Sequence, residues 1–89
     1  MTPTEFNLNA KRMDKAKSLM NEINHAQDAI KWLNKGNYAS LSVYFSSIDE
    51  RSFSCGKNSD NRKDKTLRRL MITALTEYKM ELEKEFAEL

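Results

Sequence analysis

Ala39-Ser40-Leu41-Ser42-Val43-Tyr44-Phe45-Ser46 alternates apolar and polar residues with a period of two. Leu41, Val43 and Phe45 share one side, and Ser40, Ser42, Tyr44 and Ser46 share the other, which is the pattern of a half-buried strand. Downstream, Arg51-Ser52-Phe53-Ser54-Cys55 alternates again, with Phe53 and Cys55 on the apolar side. The intervening Ser47-Ile48-Asp49-Glu50 is polar enough to turn, so a β-hairpin over about 39–55 is predicted. A hairpin alone is barely stable in water. This one must lie on neighbouring elements or pair with another copy.

Upstream, the period is helical. Thr2 suits an N-cap, Pro3 the first helical position and Glu5 the reciprocal place in a capping box. No Gly or Pro follows until Gly36. Phe6, Met13 and Met20 are seven apart, as are Ala16, Ile23 and Ile30, while Leu19, Ala26 and Leu33 widen the face. The spacing predicts an amphipathic helix over about 3–35, roughly 45–50 Å long. Asn7 and Asn9 are weak helix formers and mark a place for a kink. Lys35 and Gly36 read as its end, with Gly36 in the left-handed conformation.

Beyond the hairpin, residues 56–64 form a polar loop. A second helix is predicted over about 62–88, capped by Ser59, Asp60 or Asp64. Its apolar face runs through Leu67, Leu70, Met71, Ala74, Leu75, Tyr78, Leu82, Phe86 and Leu89. The fold class is α+β, mainly α: one domain over 1–89, an antiparallel and coiled-coil-like helical hairpin with a β-hairpin between its two long helices.

Composition narrows the function classes. The 89 residues are 39% hydrophobic and 31% charged, which gives little core and much solvated surface. No stretch is long and apolar enough to span a bilayer, so no membrane partner is expected. No secretory leader is readable, because Lys11, Arg12, Lys15 and Lys17 precede a mixed periodic segment. A lone cysteine suits a reducing, cytoplasmic setting.

The net charge of +2 conceals segregation. Lys57, Arg62, Lys63, Lys65, Arg68 and Arg69 stand against Asp60 and Asp64, a local excess of four positive charges. From Leu70 onward, five glutamates oppose Lys79 and Lys84, an excess of three negative charges. The basic start of the first helix would therefore lie beside the acidic end of the second, which favours antiparallel packing. Cations at a helix start oppose the dipole. Together with free backbone N–H groups, they make an anion site. Antiparallel packing brings Lys31 and Lys35 near this cluster, with Trp32 and Tyr38 as aromatic walls.

Catalysis finds little footing. His25 stands alone, Cys55 lies on an apolar strand face, and Gly36 and Gly56 build no phosphate loop. Neither a catalytic set, a metal site nor a cofactor is predicted, and the methionines match packing positions. The apolar stripes are too wide for two helices to bury, which implies a further cover, foremost a homo-oligomer. The function expected is non-enzymatic binding. It would sequester an anionic, nucleotide-like small molecule through Lys31, Lys35, Lys57, Arg62, Lys63, Lys65, Arg68 and Arg69, with Trp32 and Tyr38. The alternative is a protein-interaction module, inhibitor or adaptor, using its helical faces. Nucleic acid ranks third, because no known binding motif is readable and the overall charge is weak for a duplex binder. As a class, the profile resembles short phage or mobile-element proteins that act by binding, anti-defence proteins among them, with no residue correspondence.

Overall fold

The computed structural model describes residues 2–46 and 49–89 and, at Phe6, the backbone alone. The Phe6 side chain and the turn positions Ser47 and Ile48 therefore lie outside the described residues. In chain order the elements are α1 (Pro3–Asn34), β1 (Ala39–Phe45), β2 (Asp49–Cys55) and α2 (Arg62–Ala87). This is the helix, hairpin, helix order that the periodicities predict.

The local signals explain each boundary. Thr2 caps α1 and accepts the Glu5 backbone N–H at 3.2 Å, while the Glu5 carboxylate accepts the Thr2 N–H, completing the capping box. α1 then runs without interruption through Asn7 and Asn9. The helix does not stop and restart there, because a long helix packed along a partner overrides two weak formers. Gly36 follows the cap residue Lys35 with φ +81°, the left-handed conformation that stops the helix. The cap of α2 is Asn61, not Ser59, Asp60 or Asp64. Its side-chain oxygen accepts the Lys63 N–H at 2.8 Å. Asp64 falls inside the first turn.

The strands pair antiparallel in the register Ala39↔Cys55, Leu41↔Phe53, Val43↔Arg51 and Phe45↔Asp49. Directly opposed residues share a face, so Leu41, Val43, Phe45, Phe53 and Cys55 lie on one side, as the alternation implies, with the Arg51–Asp49 ion pair beside Val43 and Phe45. Asp49 and Glu50 are ladder residues and not turn residues. Opposite Phe45 and Tyr44, they extend the pairing by two positions.

The helices run antiparallel. Lys15 Nζ lies 3.3 Å from the Glu85 carboxylate, and the Tyr78 hydroxyl donates to Glu22 at 2.6 Å. Nearer the hairpin, Arg68 donates to the Leu33 carbonyl oxygen at 2.9 Å. Between these cross-links Leu19, Ile23 and Leu82 form a small buried cluster, each residue contributing about 1.5–3 kcal/mol. Ala26, Leu33 and Cys55 are buried as well.

That core is thin for the chain. The accessible surface is 7242 Å², against about 5,400 Å² for a compact monomer of this mass. The radius of gyration is 17.8 Å, against about 12 Å for a compact chain of this length. The molecule is a flattened rod of 60 × 33 × 16 Å with the hairpin at one end.

Candidate functional site: an apolar groove at the hairpin end

Three segments build an open groove of about 720 Å³. On α2, Leu67, Leu70, Met71, Ala74 and Leu75 follow i, i+3, i+4, i+7 and i+8 spacing, which lines one helical face. The last turns of α1 add Ala29, Trp32 and Leu33. The connection and hairpin add Asn37, Tyr38, Ala39, Ser40, Leu41 and Phe53. The volume falls in the range of about 300–1,000 Å³ usual for small-molecule sites.

The groove exists because, among the described residues, the hairpin is fastened to the helices at its base. Arg68 donates through Nη1 to the Leu33 carbonyl and through Nη2 to the Gly56 carbonyl at 3.0 Å. The Asp64 carboxylate accepts the Gly56 N–H at 3.2 Å, and the Asn58 N–H donates to the Gly36 carbonyl at 2.8 Å. Hydrogen bonds from Ser59 and from Gly56 hold the Asp64 carboxyl below its ordinary value near 3.8, with Arg68 adding to the effect. Past this base the hairpin leans over the start of α2 and leaves its apolar row largely open. Phe53 remains 52% exposed and Trp32 56%. Trp32 is thus a wall of the groove.

The cations around the groove differ in their surroundings. Lys35 Nζ sits 5.0 Å from the centroid of the Trp32 ring, a cation–π contact on the groove wall. Lys63 is exposed and lies four residues before Leu67 and seven before Leu70, on the same helical line as the groove. Lys31 and Arg69 are exposed, each one residue from a groove residue and so about 100° around its helix. Lys57 and Arg62 are exposed near the start of α2. Lys65 lies 3.6 Å from Asp60. Arg68 differs from the rest, because its guanidinium bonds backbone carbonyls and fastens the fold. Tyr38 lines the groove and is exposed.

The apolar residues that make the groove were visible in the sequence only as packing faces. Their signal is surplus width, with the stripe of α2 and the hairpin row each offering more surface than the neighbouring element covers. Cys55 is buried at the hairpin base and His25 is exposed on α1. Among the described residues, no group of three or more His, Cys, Asp or Glu side chains could hold a metal ion. No helix among them is long and apolar enough to cross a membrane. Compared with protein-family models, curated proteins and solved structures, the chain finds no match.

Proposed function

We propose that the protein is a non-enzymatic binding protein that sequesters a ligand with a flat apolar body and an anionic group, as a nucleotide has. The body lies in the groove against Trp32, Leu41, Phe53 and Leu70, and the anion meets Lys35 and Lys63. The observation that carries this reading is the groove itself, apolar throughout its floor, with Lys35 on its aromatic wall. A purely ionic ligand would leave the floor wet, and a purely apolar one would leave the cations unused. An aromatic anion answers both.

Trp32 is the sole tryptophan and lines the groove, so its emission reports occupancy. Titration with a panel of nucleotides should give a saturable change. Leu70→Glu should abolish it, and Lys35→Glu with Lys63→Glu should weaken it about tenfold or more. No saturable change with any nucleotide up to millimolar concentration would refute the reading.

A second reading is favoured by the length of the hairpin's apolar row. Leu41, Val43 and Phe45 span about 14 Å along β1, and Val43 and Phe45 lie outside the groove lining and exposed. An amphipathic helix of another protein would use the whole row, as an inhibitor or adaptor contact does. Replacing Val43 and Phe45 by Ser discriminates the two readings. It should spare nucleotide binding in the first and abolish partner binding in the second.

A further inference from the structure

We infer that the chain forms a two-fold dimer by pairing β1 with β1 of a second copy, which joins the two hairpins into one four-stranded antiparallel sheet. The sheet of one copy has two strands, so each strand has one edge without a ladder partner among the described residues. The two edges are not alike. β2 carries Asp49, Glu50 and Arg51 in its first half, and it is the strand that lies on α2. Charges and a covering helix are the usual ways of closing an edge. β1 has neither. Its seven residues, Ala-Ser-Leu-Ser-Val-Tyr-Phe, include no charge, Pro or Gly, and all but Ala39 are exposed.

The sequence of β1 selects a second copy as the occupant. Ser46 leaves the strand with φ 60°, so the edge runs from Ala39 to Phe45 and its midpoint is Ser42. Turned end for end about Ser42, the strand matches itself. On the apolar side Leu41 of one copy faces Val43 of the other, and the small Ala39 faces the bulky Phe45. On the polar side Ser40 faces Tyr44, and Ser42 faces its own equivalent. A slip of one residue would set apolar side chains against polar ones, and a slip of two would shorten the ladder. Within one copy the Ser42 hydroxyl already lies 3.2 Å from that of Ser52. The pairing extends that contact into a row of four serines across the sheet. The two-fold axis passes through the sheet at Ser42, so both apolar sides and both helix pairs fall on the same face. Val43 and Phe45, which lie past the end of their own groove, then sit beside Leu41 and Ala39 of the other copy. A lone hairpin is barely stable, and a four-stranded sheet with one apolar face supplies what it lacks.

Light scattering across a concentration series tests this. The native chain should reach twice its 10.4 kDa mass by 100 µM. Ser42 is exposed, so Ser42→Asp or Ser42→Lys removes no buried contact within one copy. Two copies of either variant set like charges face to face at the axis. Each variant alone should raise the dissociation constant about tenfold or more at low salt, and an equimolar mixture of the two should bring it back to the native value or below. Rescue by mixing excludes misfolding as the cause of the loss. A native chain that stays monomeric at 100 µM would overturn the inference. So would a mixture no tighter than the single variants, or a dimer indifferent to Ser42 and lost with Leu70→Glu, which would put the second copy in the groove. The edge contact leaves each groove its own lining, so a monomer that still binds nucleotide would leave the proposed function standing.

Discussion

The Arg68 guanidinium donates to the Leu33 carbonyl oxygen at 2.9 Å, joining residues 35 positions apart. Leu33 stands in the last turn of α1, where its carbonyl also accepts the Gly36 N–H at 3.1 Å and keeps a second lone pair for Arg68. With its other amino group Arg68 reaches the carbonyl of Gly56, just past β2. One side chain thus ties the end of α1 and the exit of the hairpin to the second turn of α2. Arg68→Ala should lower stability by about 1.5–3 kcal/mol, the range for hydrogen bonds from a charged donor. For a domain of this size each kcal/mol moves the melting temperature by about 4–8 °C. Arg69→Ala, one residue on and exposed, should stay within about 0.5 kcal/mol. Thermal melts followed by circular dichroism separate the two, and equal effects would remove the distinction between them.

The second tie is backbone to backbone. Asn58 donates to the Gly36 carbonyl, and Gly36 holds φ +81°. A Cβ at position 36 would collide with the Asn58 side chain. Gly36→Ala should therefore destabilise through two terms, the left-handed backbone and the collision. Adding Asn58→Gly removes the collision alone. Asn58 itself has φ 51°, which glycine tolerates. The double variant should recover part of the loss and keep a deficit of about 1–2 kcal/mol. Full recovery in denaturant melts would show that φ at Gly36 costs nothing.

These two ties also mark where the sequence is legible. Gly36 was readable because a helix stop needs a residue that tolerates positive φ. The capping box at Thr2 and Glu5 and the hairpin's alternation are equally local. The antiparallel direction was readable because opposite charges segregate, and Lys15–Glu85 realises it. Arg68 was not readable. Among six cations it counts as charge, and its partners are backbone carbonyls, which carry no sequence signature. Asn61 was missed because Ser59, Asp60, Asn61 and Asp64 can all cap, and only the chain's path chooses among them. The groove was missed because a wide apolar face looks the same whether a neighbour covers it or leans away from it.

Asp64 gives the acid limb of stability. Ser59 and the Gly56 N–H favour its ionised form, so its folded pKa lies below the ordinary value near 3.8. The stability it adds is fully present above the unfolded pKa. It is lost as pH falls below 3.8 toward the folded value. Denaturant melts between pH 6 and 2.5 should show this loss in the native protein and a flatter profile in Asp64→Asn. Parallel profiles would exclude Asp64 as the source.

Tyr78 gives the opposite limb. Its hydroxyl donates to the Glu22 carboxylate, a bond that needs the phenol protonated, and its pKa is raised above 10. A raised pKa in the folded state means that the native form holds the proton more tightly. The contribution is whole below pH 10 and disappears as pH climbs through the folded value. In an absorbance titration its ionisation should give a step above pH 10. Tyr78→Phe should delete that step, and Glu22→Gln should move it down. A step unchanged in Tyr78→Phe would assign it elsewhere.

Cys55 reports on the hairpin base as a whole. Its residue is 0% exposed, opposite Ala39 in the ladder and one position before the Gly56 carbonyl that Arg68 holds. A thiol reagent reaches it only when that base opens, so the modification rate measures local opening. In the native protein the reaction should be slow and should accelerate in denaturant. Arg68→Ala should speed it about tenfold or more, because a loss of 1.4 kcal/mol confined to the opening reaction is a factor of ten in its equilibrium. Arg69→Ala should leave the rate unchanged. Substitution gives a second, static measure. Cys55→Ala leaves a small void, whereas Cys55→Ser buries a hydroxyl in an apolar setting and should be the worse by about 1–3 kcal/mol. Fast modification in the native protein, with serine and alanine tolerated alike, would mean that the base opens freely. The groove would then have no fixed wall on its hairpin side.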